Sequence, residues 1–170
     1  MEHGADLLTY KDKFEGELID FSSNINPLGP PEGLDEVLIE NFKSLSAYPD
    51  IQYRYLRESI AKYLGAKKEN ILVGNGAVEI IDNIIMQANS VTVMLPAFSE
   101  YKKRAIAHKK EVYRLYYNND LTINMDAFNN IEEGTLLVLG NPNNPSGLRI
   151  PKNDLIVIYE LVKKAKAYLL

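Results

Sequence analysis

The chain has 170 residues, of which 46% are hydrophobic and 25% are charged, as is ordinary for a globular protein with one sizeable core. Its formal net charge of −4 and its pI near 5.3 give no electrostatic reason to expect nucleic acid or a membrane surface as a partner. Cysteine is absent, which excludes disulfides and thiolate metal sites, and no apolar signal segment follows Met1, so we expect a soluble, cytoplasmic protein.

The first part of the chain predicts helices. Apolar residues recur at helical spacing between Gly33 and Phe42, after a turn rich in glycine and proline. A second set repeats that spacing: Leu56, Ile60, Tyr63 and Leu64. We therefore assign residues 1–45 to a helical amino-terminal arm and small-domain segment, and residues 46–170 to the main domain.

Beyond Gly65 short apolar runs alternate with helical segments, of which the clearest spans Ala77 to Ala88. The runs that predict strands are Ile71–Val73, Val91–Leu95, Val112–Tyr116 and Leu136–Leu139. Strands that are separated by helices pair in parallel with right-handed crossovers. The main domain is therefore predicted to be α/β, with a doubly wound and mainly parallel sheet.

The carboxyl end carries one more strand-like segment. A helix predicted to start at Pro151 is followed by the apolar run Ala167 to Leu170, where the chain stops. Domains normally end in exposed polar residues or docked helices. This pattern leads us to expect a domain truncated at Leu170, either a fragment or a chain that another segment completes.

The turn Gly74-Asn75-Gly76-Ala77 follows a predicted strand and opens a helix. Glycines let a backbone approach an anion closely, and the amides of a helix's first turn can hold a phosphate without a basic side chain. A tight turn without any ligand is the alternative. The turn matches neither the dinucleotide fingerprint nor the P-loop, so a nucleotide-binding module is a weaker hypothesis.

Two further loops follow predicted strands. Phe98 comes after the second strand, where its ring could stack on a flat heterocycle or simply lie in the core. The loop Asn141-Pro142-Asn143-Asn144-Pro145-Ser146-Gly147 is stiffened by two prolines, and it is either a ligand-binding loop or a plain turn. Because carboxyl ends of parallel strands share an edge, we expect these loops to converge.

Three other polar features have no role that residue chemistry alone assigns. The segment Asp20 to Pro30 is polar and punctuated by proline, and Tyr48-Pro49-Asp50 could be a capping turn before a helix. His3 and His108 are the two histidines, and neither has partners at metal-ligand spacing. We expect His108 to be solvated and predict no metal site.

Read together, these segments resemble the amino-terminal half of a fold type I pyridoxal-phosphate enzyme of the aminotransferase class I/II superfamily. Within it, the segments that begin at His3, Asp20, Tyr48 and Gly74 are similar to threonine-phosphate decarboxylases, which serve cobalamin synthesis. Histidinol-phosphate aminotransferases are the near relatives, so a transaminase remains open as an alternative. The sequence departs from the decarboxylase pattern at Ala5 and Asp6, where glycine and asparagine are usual.

The resemblance implies a role for each matching residue. It implies that Gly76, Ala77 and Val78 hold the phosphate of pyridoxal 5'-phosphate and that Phe98 stacks on its ring. The other implied contacts are Asn144 with the ring's phenolic oxygen, Tyr48 with the cofactor phosphate of the neighbouring subunit in a homodimer, and His3 and Asn24 with the phosphate of a small phosphorylated amino-acid substrate.

The resemblance also places several functional residues beyond Leu170: the lysine that forms the Schiff base, the aspartate that pairs with the pyridine nitrogen, and the substrate-binding arginines. We therefore expect no catalytic residue within this chain and expect the chain alone to be inactive. A truncated relic that does no chemistry is the hypothesis from a different class.

Overall fold

The structure is a computed structural model that describes residues 6–13 and 15–170. The chain divides into two compact units, the first ending at Arg54 and the second spanning Tyr55–Leu170. We describe each unit by itself. The predicted division at residues 45 and 46 stays a prediction.

The described part of the first unit contains short helices and no core. Helix α1 spans Leu7–Tyr10, α2 spans Leu34–Glu40, and a 3₁₀ helix spans Phe42–Ser46. None of the described residues up to Arg54 is buried, and many large apolar side chains are exposed there, including those of Phe21, Leu28 and Tyr48. The ordered features of this unit are therefore local turns and caps rather than packing.

The second unit alternates helices and strands after an opening helix. Its elements are α3 (Arg54–Leu64, which starts at the last residue of the first unit), a 3₁₀ turn (Lys68–Asn70), α4 (Ala77–Gln87), β1 (Ser90–Leu95), α5 (Ser99–Ala107), β2 (Glu111–Tyr116), a 3₁₀ helix (Met125–Asn130), β3 (Leu136–Val138), α6 (Lys152–Lys164) and β4 (Tyr168–Leu169). The predicted helices near residues 56–64, 77–88 and 151–165 are confirmed.

The four strands form one parallel sheet in the order β2-β1-β3-β4. In the centre, Val91 of β1 pairs with Leu136 of β3 on one side and with Val112 of β2 on the other. This confirms an α/β architecture with a parallel sheet.

Helices cover both faces of the sheet because the side chains of β1 alternate between two cores. Val91 and Val93 pack with Ile85 of α4 and Ala105 of α5. On the opposite face, Met94 and Leu137 pack with helix α6 and the 3₁₀ helix, in a core completed by Tyr117, Phe128, Ile150, Ile158 and Val162. Within the described residues no helix is long and apolar enough to cross a membrane.

One predicted strand was wrong. Ile71–Val73 is outside the sheet, and Leu72 is 66% exposed. The carbonyl of Ile71 accepts a hydrogen bond of 3.0 Å from Nε of Arg57, so a helix side chain binds this backbone where a strand partner would. The apolar run Ala167 to Leu170 does form a strand, since Tyr168–Leu169 pairs in parallel with β3.

The prediction for His108 was also wrong. His108 is half-buried at the end of α5, and its Nε2 lies 2.9 Å from Oδ1 of Asp82 on α4. The lysines that follow it in the chain suggested a solvated position, but the packing of α5 on α4 brings a carboxylate to the ring.

Candidate functional site

The candidate site is the edge of the sheet where β1 and β3 end. Helix α4 is joined to β1 by two residues and packs on it through Ile85, so α4 runs antiparallel to β1. Its first turn therefore lies toward the carboxyl end of β1. The α4 start, the loop after β1 and the loop after β3 belong to this one edge, as open parallel sheets with ligand sites arrange them.

The turn before α4 is shaped by glycine. Gly76 precedes the helix with φ 85° and ψ 163°, a region that only glycine adopts readily, and no side chain caps the first turn. The Gly76 amide donates to the carbonyl of Gly74 at 2.8 Å. Of the three residues predicted to hold a phosphate, Ala77 and Val78 are thus the two whose amides start the helix.

A carboxylate closes the other side of this turn. Glu79, in the first turn of α4, accepts a hydrogen bond from the backbone amide of Asn75. A Cβ atom added to Gly74 would lie 2.9 Å from Oε2 of Glu79 and 3.0 Å from Cγ1 of Ile80. A side chain at position 74 would therefore require the Glu79 carboxylate and the Ile80 side chain to shift, and Glu79 orders the turn that precedes the helix.

Phe98 lies just before α5, three residues after β1 ends. Its ring is half-buried and meets the ring of Tyr101 edge to face, with the centroids 5.6 Å apart and the planes at 86°. Such pairs hold an aromatic ring in a defined orientation. Phe98 is thus neither fully in the core nor fully exposed, and its position suits a ring that lines a site.

The loop after β3 is built around Asn143, which the sequence reasoning did not single out. Asn143 is 3% exposed, and its Nδ2 donates to the Pro96 carbonyl at 3.1 Å and to Oγ of Ser146 at 3.0 Å. Asn144, the predicted cofactor residue, is exposed at the same turn. The loop predicted to be stiff is thus held by hydrogen bonds at Asn143, and it is joined to the loop after β1.

Two tyrosines complete this edge. The Tyr117 side chain, just after β2, is 9% exposed, and burial, followed by the nearby Tyr101, raises the pKa of its hydroxyl. Burial likewise raises the pKa of Tyr101. Within the described residues, the Tyr117 hydroxyl and Oδ1 of Asn143 are buried polar atoms without a hydrogen-bond partner. No sequence motif indicated that these two polar atoms would be buried.

The remaining predicted residues belong to the first unit. Asn24 and Tyr48 are both exposed, Tyr48 by 88%. His3 lies outside the described residues. The predicted capping turn is confirmed, because Asp50 accepts hydrogen bonds from the amides of Arg54 (2.8 Å) and Gln52 (3.1 Å), which lower the pKa of its carboxyl.

The Asp20 to Pro30 segment is organised by two side chains. Asp20 accepts hydrogen bonds from the amide and hydroxyl of Ser22 and from the hydroxyl of Ser23, which lower its pKa. Asn26 accepts from the amide of Leu28 at 3.0 Å and donates to the carbonyl of Gly29 at 3.2 Å. Asn24 therefore sits between two local turns. No cluster of three potential metal ligands occurs among the residues that the structure describes.

Comparisons with known proteins agree with this architecture. The family model described as aminotransferase class I and II matches residues 16–170. The "Putative threonine-phosphate decarboxylase" of Caldanaerobacter subterraneus is 43% identical over 97% of this chain and 44% of its own length. An adenosylcobalamin biosynthesis bifunctional protein of Leptospira interrogans is 32% identical over 94% of the chain and 20% of its own length.

A solved structure is also similar. The histidinol-phosphate aminotransferase of Clostridium acetobutylicum superposes with a TM-score of 0.82 at 36% identity, over 89% of this chain and 46% of that one. The chain spans less than half the length of each of these proteins.

Proposed function

Because the chain belongs to the aminotransferase class I and II family of pyridoxal-phosphate enzymes, we propose that it forms the amino-terminal part of a threonine-phosphate decarboxylase. That reaction converts L-threonine O-3-phosphate into aminopropanol phosphate and CO₂. The observation that carries the proposal is the 43% identity with the Caldanaerobacter protein over 97% of the chain. The likeness to the Leptospira protein, whose name refers to adenosylcobalamin biosynthesis, supports a role for this reaction in cobalamin synthesis.

The residues at the sheet edge fit pyridoxal 5'-phosphate. The uncapped first turn of α4 offers the amides of Ala77 and Val78 to a phosphate, and the left-handed Gly76 leaves open space beside it. The half-buried ring of Phe98 offers a face to a pyridine ring, and the exposed Asn144 amide offers a donor to a ring oxygen.

Each residue in this proposal binds or orients; none moves a proton or attacks a substrate. When bound, the cofactor supplies a conjugated ring that accepts the electron pair left as the bond to the substrate α-carbon breaks. In this chain Phe98 would stack on the ring, Asn144 would donate to a ring oxygen, and the first turn of α4 would bind the phosphate. Holding the cofactor in a fixed place gives a fixed plane against which the substrate bond that breaks can be oriented.

We further propose that Asn24 and His3 contact the phosphate of the substrate, and that Tyr48 reaches the cofactor phosphate of a second subunit in a homodimer. The 88% exposure of Tyr48 is compatible with a contact made outside its own chain. Asn24 is exposed and lies between the turn that Asp20 orders and the turn that Asn26 orders. The substrate class that these contacts imply is a small phosphorylated amino acid.

A transaminase acting on histidinol phosphate is the second candidate. The superposition on the Clostridium acetobutylicum enzyme, with its TM-score of 0.82, favours it. The two activities are separated by supplying the complete protein either with L-threonine O-3-phosphate or with histidinol phosphate and a 2-oxo acid that accepts the amino group. Release of CO₂ from the first supports decarboxylation, and amino-group transfer from the second supports the alternative.

A titration of the purified chain with pyridoxal 5'-phosphate tests the cofactor proposal. We expect saturable binding by absorbance and, after borohydride reduction, no stoichiometric adduct at a single lysine by mass. The proposal assigns the Schiff-base role to no lysine of this chain, including Lys163 and Lys164 in the last turn of α6. Absence of binding would contradict the proposal and favour a chain that does no cofactor chemistry, and a single stoichiometric adduct would show that this chain supplies the lysine.

A further inference from the structure

The buried carboxamide of Asn143 joins two loops that are far apart in sequence. Its Nδ2 donates to the carbonyl of Pro96, 47 residues earlier, at 3.1 Å. Pro96 follows β1 directly, and Asn143 follows β3. This hydrogen bond therefore runs from a side chain of one loop to the backbone of the other.

The backbone of Asn143 is tied as firmly as its side chain. Its amide donates to the carbonyl of Leu148 at 2.9 Å, and its carbonyl accepts from the amide of Gly147 at 2.7 Å. The main chain of Asn143 is therefore held within its own loop, so the bond from its carboxamide ties that loop to Pro96.

The orientation of the carboxamide follows from its partner. A carbonyl only accepts hydrogen bonds, so the NH₂ group and not the oxygen of Asn143 must face Pro96. This leaves Oδ1 buried without a partner among the described residues. Leaving a buried acceptor unpaired is unfavourable. The carboxamide therefore keeps the bond from Nδ2 to Pro96 although its Oδ1 has no partner among the described residues.

We propose that Asn143 is a positioning residue that sets the distance between the side-chain amide of Asn144 and the Phe98 ring. This inference rests on the proposed function. Asn144 is its neighbour in the chain, and Phe98 lies two residues after Pro96. The bond between the loops thus controls the part of the site that would hold a heteroaromatic ring with its oxygen. The phosphate part, at the start of α4, does not depend on it.

The test is the nearly isosteric variant Asn143→Asp, which replaces the donor facing Pro96 by a carboxylate oxygen. The Kd for pyridoxal 5'-phosphate is expected to rise about tenfold, because the ring contacts lose their spacing. The constant for inorganic phosphate, measured as a competitor, is expected to stay within about twofold. General destabilisation would weaken the binding of both ligands. A rise in the Kd for pyridoxal 5'-phosphate alone therefore indicates a positioning role.

Asn118→Asp is the matched control. Asn118 is exposed, and its Nδ2 also donates to a backbone carbonyl, that of Ile123 at 3.2 Å, and to Oγ1 of Thr122 at 3.1 Å. Both bonds stay within one loop, so this variant is expected to leave both constants unchanged. Ser146→Ala removes the second acceptor of Asn143 and keeps the bond to Pro96, and it should change the cofactor Kd by less than about twofold.

Low pH should restore cofactor binding by Asn143→Asp. A protonated carboxyl group has an O–H donor that can restore the bond to the Pro96 carbonyl, and burial favours the protonated form. The ratio of the variant's cofactor Kd to that of the wild type is therefore expected to fall toward one between about pH 8 and about pH 5.

Each result of these titrations bears on the proposed function, on the inference about Asn143, or on both. Wild-type chain that binds no pyridoxal 5'-phosphate overturns both the proposed function and this inference. If the wild type binds and Asn143→Asp binds equally well, or loses both ligands alike, this inference alone is overturned. Should Asn143→Asp fail to fold by circular dichroism, Asn143→Ala removes the donor without a charge, and equal weakening of both ligands or of neither would again overturn the inference.

Discussion

The hydroxyl oxygens of Thr92 and Thr135 lie 3.0 Å apart inside the sheet, where the two residues are 1% and 0% exposed. Thr92 is in the middle of β1, and Thr135 directly precedes β3. Each hydroxyl is the other's partner, so removal of one leaves a buried polar group unpaired.

We therefore expect Thr92→Val to lower the free energy of unfolding by about 1–3 kcal/mol. Chemical denaturation of the single and double variants measures this. The double variant Thr92→Val with Thr135→Val should recover most of the loss, because no polar group is then left unpaired. Strictly additive losses would contradict a direct bond between the two hydroxyls.

Glu100→Gln tests the buried carboxylate at the start of α5. Glu100 is 6% exposed, and its oxygens lie 3.1 Å from Nε of Arg104 and 3.4 Å from Nζ of Lys103. We expect the variant to lose about 1–2 kcal/mol of unfolding free energy at neutral pH, since both partners are partly exposed. The exposed Glu160→Gln on α6 is the control and should change nothing measurable.

The same pair of variants gives a pH dependence. Burial by itself would raise the pKa of Glu100, but the bonds from Lys103 and Arg104 outweigh it and hold the pKa below its ordinary value. A lowered pKa stabilises the fold above the ordinary value, and this stabilisation is lost as pH falls through the folded-state pKa. The difference between wild type and Glu100→Gln should thus vanish in acid, and a constant difference down to about pH 2 would contradict this assignment.

Gly76→Ala should destabilise the protein by about 1–3 kcal/mol through the backbone alone. A Cβ at Gly76 meets no atom within 4 Å, but φ of 85° with ψ of 163° is strained for any other residue. Gly140→Ala is the control, because φ there is not left-handed and its Cβ would make ordinary contacts at 3.6 Å. Thermal unfolding of both variants measures the difference, and equal stability of the two would show that the turn before α4 relaxes.

Asn144→Ala separates binding from stability. Since Asn144 is exposed, we expect its loss to change the unfolding free energy by less than about 0.5 kcal/mol. The Kd for pyridoxal 5'-phosphate should rise about fivefold, the equivalent of one hydrogen bond of about 1 kcal/mol. Asn119→Ala, an exposed asparagine after β2, is the control for the titration. Unchanged affinity in Asn144→Ala would remove this residue from the proposed site.

Two of the strands that the sequence predicted correctly have apolar runs that are buried on both faces, whereas the correctly predicted run Val112–Tyr116 forms a partly exposed strand. The two buried runs are Val91–Leu95 and Leu136–Leu139, and they form the centre of the sheet. Ile71–Val73 has the same composition, but a strand exists only through hydrogen bonds to a neighbour, and these depend on residues distant in sequence. No local pattern shows that Arg57 binds the carbonyl of Ile71 instead.

The candidate site likewise has features that the sequence predicts and features that it does not. The loops that carry Gly76, Phe98 and Asn144 were predictable, because glycine, proline and asparagine have strong local preferences. The burial of Asn143 was not, since nothing local distinguishes two consecutive asparagines, one of which turns inward. Glu100 is similar: a carboxylate followed by lysine and arginine on a helix is typical of the surface, and here it is buried.

The buried threonine pair also determines how β1 and β3 align. Side chains alternate along a strand, so a slip of two residues would keep apolar groups on both faces of β1 and cost little hydrophobic burial. It would, however, carry Thr92 away from Thr135 and place a hydroxyl where Met94 now packs. In a sheet whose centre is apolar on both sides, one polar pair thus distinguishes the native alignment from its nearest competitor.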